Sequence, residues 1–288
     1  SYFSYLNIKN FINEINFFKN NYNFFDCSDL SNFNYNSKNK IFLTFDDGLS
    51  CHYDYVFKAL IEHELNAIFY IPALPYTHEK ILDVHKIHLI LGFLNGSKAL
   101  NLLNKYITKD MINTDLTDGY EKYLYKLQLN SNDVSNFKKT LNYYIDYNYR
   151  SDIISKIFIE CFGDIEKTIV KSFYLTIDQI QEMSDHNMII GGHSVTHRLL
   201  SRLDKNEYEN EINESFNFLN KFMKYKTFCY PYGGYHSFNS EIEKFLNNNN
   251  VEFSMNVESR DINENDFKNR KQALPRYDCN EFKYGQID

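Results

Sequence analysis

The feature that most limits how this chain can fold is the run Ile41-Phe42-Leu43-Thr44-Phe45, which stops abruptly at Asp46-Asp47-Gly48. The run predicts a buried strand, and the glycine supplies the turn that ends it. Neighbouring strand residues point to opposite sides, so one aspartate can hold a metal while the other stays free as a base only where the strand is ending. Beyond it, Tyr53, Val56, Phe57, Leu60 and Ile61 recur at helical spacing, and Ala67 to Ile71 reads as a second strand closed by Pro72 and Pro75. A strand, a helix and a strand in this order predict a parallel pair.

The same alternation extends along most of the chain. Ile8, Phe11, Ile12, Ile15 and Phe18 fall on one helical face, and the polar stretch Ser28 to Lys40 leads from that helix into the first strand. Thr176 with Gln179, and Asp204 with Glu207, have the spacing of capping boxes. The first opens a helix before a strand at Met188 to Ile190, which ends at Gly191-Gly192. The second opens a helix carrying Tyr208, Ile212, Ser215, Phe216 and Leu219. A strand and tight turn at Thr227 to Gly234, a helix around Ser240 to Leu246 and a strand at Val251 to Val257 follow. Between about residues 76 and 173 the periodicity is helical, with many exposed Lys, Asn and Asp and no strand-like run. This segment is expected to be a helical insertion in one catalytic domain spanning residues 1–288. A chain of 288 residues is long enough for an α/β barrel, whose chemistry sits at the C-terminal ends of its strands.

Charge and cysteine content narrow the function classes. A net charge of -7 without a long basic run argues against a general nucleic-acid binder or an anionic-membrane binder. Cys27, Cys51, Cys161, Cys229 and Cys279 are widely spaced and form no C-x-x-C pair, so they read as reduced thiols. No apolar stretch approaches the roughly 20 residues of a membrane span, and the N-terminal residues alternate apolar and polar where an export signal would need an apolar core. A cytoplasmic setting is expected.

The second chemical motif is His193-Ser194-Val195-Thr196-His197, which follows a strand and a Gly-Gly turn. Its i, i+4 histidines reach one side of a helical turn or helix-like loop. One carboxylate from Asp46-Asp47 completes a two-histidine, one-carboxylate set for zinc or a similar divalent ion, with coordination positions left open to water and substrate. Tyr230-Pro231-Tyr232-Gly233-Gly234 makes a rigid turn whose backbone N–H groups can face a reacting carbonyl. Arg276, after Leu274-Pro275, reads either as a carboxylate partner at the site or as a surface residue.

Together these motifs resemble the polysaccharide deacetylase family, carbohydrate esterase family four. The resemblance rests on Thr-Phe-Asp-Asp-Gly at 44–48, His-Ser-x-x-His at 193–197, Tyr-Pro-Tyr-Gly at 230–233 and Leu-Pro-Arg at 274–276, in that order, and covers about residues 8–75 and 174–278. It implies a distorted (β/α) barrel, usually of seven strands, that uses a divalent metal to hydrolyse acetyl groups on sugars. By position, Asp46 would be the catalytic base, Asp47, His193 and His197 the metal ligands, and Tyr232 the donor of a backbone N–H to the oxyanion. Two departures stand out. Cys229 occupies the place where many members carry an arginine that orients the base, a duty Arg276 would take over, and the late Leu-x-His that supplies a general acid is absent. Among the remaining histidines, His85 and His88 are the favoured acid pair, ahead of His236. Tyr230, His52 and His236 are expected as further substrate contacts. The implied substrate is an acetylated sugar in a glycan precursor, nucleotide-linked, lipid-linked or oligosaccharide. Removal of a formyl group, opening of a cyclic amide, or a catalytically silent carbohydrate-binding domain are the alternatives.

Overall fold

The computed structural model describes residues 6–33, 40–113 and 131–285. Its described residues form two compact units, one within 81–167 and the other from 6–80 with 168–285.

In the unit of residues 81–167 the main elements are the helices Asp83–Phe93, Gly96–Tyr106, Asn132–Lys139 and Tyr147–Phe162. Their starts are set locally, because the side chains of Asn95, Ser131 and Asp146 each accept a hydrogen bond from a first-turn N–H. Gly163, at φ +71°, ends the last of them in a conformation that costs a glycine little. Inside this unit Arg150 is buried, and its Nη1 donates to Asp83 Oδ2 at 2.8 Å.

The other unit is built on a parallel sheet of five strands in the order β3-β4-β5-β6-β7. These are β3 (Leu43–Asp46), β4 (Ala67–Ile71), β5 (Ile189–Gly192), β6 (Thr227–Cys229) and β7 (Phe253–Met255). A separate parallel pair, β1 (Asn23–Phe24) with β2 (Lys40–Ile41), precedes it, so the seven strands among the described residues divide into five and two. Spatial order equals chain order, and each helical crossover brings the next strand back in the same direction. The architecture is α/β with a curled parallel sheet, an open half-barrel. The first strand differs from its expectation. β3 is half-buried along its whole length, because it is an edge of the sheet, whereas β4 is buried throughout.

Alternation along the strands divides the core in two. One face, with Ala67, Phe69, Ile71 and Ile190, packs against Phe11, Ile15, Leu60, Ile180, Met183 and Leu219 of the surrounding helices. The other face gathers Ile68, Tyr70, Ile189, Cys229, Phe253 and Met255 with Phe25, Cys27 and Leu30. Gly191 leaves room there, since a Cβ on it would lie 2.7 Å from the Tyr70 ring. Leu274 forms a parallel bridge to Met255 beyond β7, extending the sheet by one more rung. The edges are joined by aromatic packing. The Phe33 ring lies 5.3 Å from Phe42, next to β3, and 5.1 Å from Phe253 of β7, centroid to centroid.

Candidate metal and catalytic centre

The site lies at the C-terminal ends of β3, β5 and β6. Thr44 and Asp46 share one face of β3, and Asp47 follows in the turn at φ +78°, with Gly48 at +61°. A Cβ on Gly48 would sit 3.1 Å from Ile71 Cγ2. The turn therefore needs a residue without a side chain. Its carbonyl accepts from Leu175 N at 2.9 Å, which ties it to the chain entering the Thr176-capped helix.

The change of backbone direction separates the two aspartates. Asp47 Oδ1 lies 3.4 Å from His193 Nε2 and 3.4 Å from His197 Nε2. One ligand atom from each of the three residues falls within 4.8 Å of the others, and among the described residues no other group of three such donors does so. His193 donates from Nδ1 to the Cys229 carbonyl at 2.7 Å, which turns Nε2 toward Asp47. Two imidazoles and a carboxylate are the donors that a zinc-like divalent ion takes in an open site, so the residues fit such an ion. The local field agrees. Burial opposes charge on His193, but Asp46 and Asp47 outweigh it and hold the imidazolium well above its ordinary range. The pocket favours a positive charge.

The loop carrying the histidines is not helical. Ser194 and His197 both adopt left-handed conformations, at φ +60° and +58°. Such conformations cost of order 1–3 kcal/mol each in residues other than glycine, so the surroundings must impose them. The Ser194 and Val195 carbonyls accept from Ala73 N and Leu74 N, the chain leaving β4. His197 N donates to Ser194 Oγ at 3.0 Å.

Asp46 meets a different set of partners. Arg276 Nη1 donates to Asp46 Oδ1 and to Thr44 Oγ1, each at 2.9 Å, and Nη2 donates to Asp46 Oδ2. The Cys229 thiol, 3.6 Å from Oδ2, adds a weak donor. Burial pushes that thiol up, so it keeps its proton. For Asp46 burial is again the largest influence and opposes ionisation, yet Arg276 and His193 together hold the carboxyl below the usual carboxylate value. Asp46 is an anion at neutral pH, fixed in orientation by a bidentate guanidinium. Of the two sequence readings of Arg276, the carboxylate contact is the one present, and Cys229 stands beside the same carboxylate.

The remaining sequence candidates distribute unevenly. The Tyr232 ring lies 4.9 Å from the His197 ring, edge to face, and Tyr232 itself is at φ +63°. Tyr230 is a correction to the expected substrate contact. Its ring is buried and stacked on Phe238 at 3.9 Å, and its hydroxyl donates to the Gln272 carbonyl, so no face is left for a substrate. His236 packs on Gly234, where a Cβ would come within 2.6 Å of the ring, and burial lowers its pKa to about 4. A neutral imidazole at pH 7 is a poor acid, which counts against His236 as proton donor. The His52 ring lies 5.8 Å from Phe45 and 5.9 Å from Phe69. His85 and His88 stand on the helix Asp83–Phe93 in the unit of residues 81–167, whereas the cluster around Asp46 and Asp47 is built wholly from the other unit.

Sequence reasoning missed Glu211. It is buried in the helix Lys205–Leu219, and its Oε2 accepts from both Val195 N and Thr196 N at 2.8 Å. A signal was present, because Glu211 lies on the buried face that carries Tyr208, Ile212, Phe216 and Leu219, and a charge on a buried helical face needs specific partners.

Comparison with known proteins follows the same lines. The polysaccharide deacetylase family model matches residues 162–254, which include the two histidines and the Tyr-Pro-Tyr-Gly turn but neither Asp46 nor Arg276. No curated protein matches the sequence. Among solved structures, the Streptococcus pyogenes deacetylase PplD in complex with acetate aligns over 95% of this chain and 81% of its own, with 14% identity and a TM-score of 0.54. IcaB from Ammonifex degensii aligns over 94% and 82% with 10% identity and a TM-score of 0.49. A de-N-acetylase from Aggregatibacter actinomycetemcomitans aligns over 94% and 83% with 13% identity and a TM-score of 0.48. At these identities the first comparison shows a shared fold. In its matched segment and in its fold, the chain is similar to polysaccharide deacetylases.

Proposed function

We propose that this protein is a metal-dependent carbohydrate N-deacetylase in which Asp46 is the base and Asp47, His193 and His197 hold the ion, zinc first among divalent metals. The observation that carries the reading is the division of labour between adjacent aspartates, with Asp47 3.4 Å from both imidazoles and Asp46 gripped by Arg276. A divalent ion at this donor set supplies Lewis acidity, polarising an acyl carbonyl and making water acidic near neutral pH.

The chain's own groups account for the rest. Asp46 is ionised at neutral pH and takes the proton of the attacking water, while Arg276 keeps both carboxylate oxygens in a fixed plane. The backbone N–H of Tyr232 stabilises the oxyanion that forms on the acyl carbon's oxygen. Water attacks the amide carbon, the proton taken up by Asp46 passes to the amide nitrogen as the carbon–nitrogen bond breaks, and acetate and a sugar amine leave. Five cysteines without a disulfide fit a reducing compartment, which favours a cytoplasmic glycan precursor as substrate. Among the described residues no helix is long and apolar enough to cross a membrane.

The test is to incubate metal-loaded protein with acetylated nucleotide sugars, glycolipids and oligosaccharides and follow product mass. Loss of one acetyl group is the expected result. Loss of formyl would redirect the assignment to another acyl group, and glycan binding without any mass change would overturn hydrolysis.

A further inference from the structure

We propose that Glu211 is the positioning residue that holds the His193–His197 loop in its ligating conformation. The proposal rests on the reading that Asp47, His193 and His197 bind a divalent ion.

Glu211 is 3% exposed, so its charge would be costly unless donors surround it. Oε2 accepts from Val195 N and Thr196 N, the two N–H groups at the centre of the histidine loop, each at 2.8 Å. Oε1 accepts from Thr196 Oγ1 and pairs with Arg198 Nη2 at 3.1 Å. Every one of these donors belongs to residues 195–198. With the carbonyls of Ser194 and Val195 held by the chain after β4, and His197 N held by Ser194 Oγ, the loop's polar backbone is fixed from both sides. Ser194 and His197 are left-handed, so a loop released from these restraints would relax toward ordinary backbone and carry the His197 ring away from Asp47. Glu211 sits on the helix opened by Asp204, whose capping box fixes its start, and so reaches the loop from a rigid support.

A plain helix-docking salt bridge would also involve Glu211, and the experiment separates the two. Zinc affinity is measured by chelator competition, and the visible spectrum of the cobalt-substituted protein reports ligand geometry. The variants are Glu211→Ala, Glu211→Gln and, as a control, Tyr208→Ala, which removes from the same helix a buried ring that packs edge-on toward Phe245. Glu211→Ala is expected to weaken zinc binding about 10–100-fold and alter the cobalt spectrum while far-UV circular dichroism is unchanged. Glu211→Gln keeps one carbonyl oxygen for the two N–H groups and should fall between it and the wild type; if the alanine variant fails to fold, the glutamine variant carries the test. Tyr208→Ala should lower Tm and leave affinity intact. Wild-type affinity and spectrum in a folded Glu211 variant, or an equal loss of affinity in Tyr208→Ala, overturns the proposal. Wild-type protein that takes up no metal is a different result and overturns the metal reading on which it stands.

Discussion

Arg150 and Arg276 each set a guanidinium against an aspartate, Arg150 buried in the unit of residues 81–167 and Arg276 half-buried at the C-terminal ends of the strands. Their remaining contacts differ. Arg150 also donates to the Leu141 carbonyl at 2.7 Å and to Asn142 Oδ1 at 3.1 Å, while Ser151 Oγ donates to Asp83, so that pair joins neighbouring helices. Arg276 spends its donors on Thr44 and both oxygens of Asp46, and Asp46 borders the donor set of Asp47 and the two imidazoles. Pairing is common to both. What sets the two pairs apart is the neighbour each carboxylate faces.

The largest effect that can break this comparison is on turnover. Asp46→Asn should lower kcat by about 10²- to 10⁴-fold with zinc stoichiometry unchanged, whereas Asp83→Asn should leave kcat per folded molecule near wild type. Near-normal turnover of Asp46→Asn, measured with metal analysis, would remove Asp46 from the chemistry. Stability comes next. Arg276→Met and Arg150→Met each leave a half-buried carboxylate without its guanidinium and should each cost about 1–3 kcal/mol in denaturant unfolding, yet only the first should also depress kcat in the folded fraction. If both variants lose activity per folded molecule equally, the distinction between the pairs fails.

A smaller effect tests how a half-buried imidazole behaves beside these two ion pairs. Burial lowers the His236 pKa from 6.5 to about 4, so between those values the unfolded chain binds the proton that the folded chain refuses. Stability therefore rises with pH across this window and is lost as pH falls through it. His236→Asn should flatten that stretch of the Tm-against-pH curve, and an unchanged slope would assign it to other groups. The smallest expected effect is that of Tyr230→Phe, which removes one buried hydrogen bond to Gln272. It should cost about 1 kcal/mol in stability with kcat and KM unmoved, and a change in KM would return Tyr230 to the substrate.

Much of the site was legible because its residues sit in short motifs. The strand-ending aspartates and Leu274-Pro275-Arg276 each announce a local geometry, the two histidines meet although their loop is not helical, and the capping boxes at Thr176 and Asp204 form as their spacing predicts. What escaped depends on direction. Tyr230 and Tyr232 are equivalent by type, and only the turn decides that one ring stacks on Phe238 while the other lies against His197. The half-buried state of β3 escaped for a similar reason, since an apolar run does not say whether it will have a neighbour on both sides. The Glu211 contact joins residues 16 apart through a loop whose left-handed backbone no propensity predicts.

Arg276 has a consequence for how the molecule would fail. It leaves the rung beyond β7 and grips β3, so it links the first and last members of the sheet at the carboxylate proposed as the base. The Phe33 ring joins the same two edges by packing alone. Loosening this seam would untie Asp46 before the helices or the central strands come apart. On the proposed function, activity then acts as a gauge of closure, and mild denaturant should abolish it while most of the secondary structure is still in place.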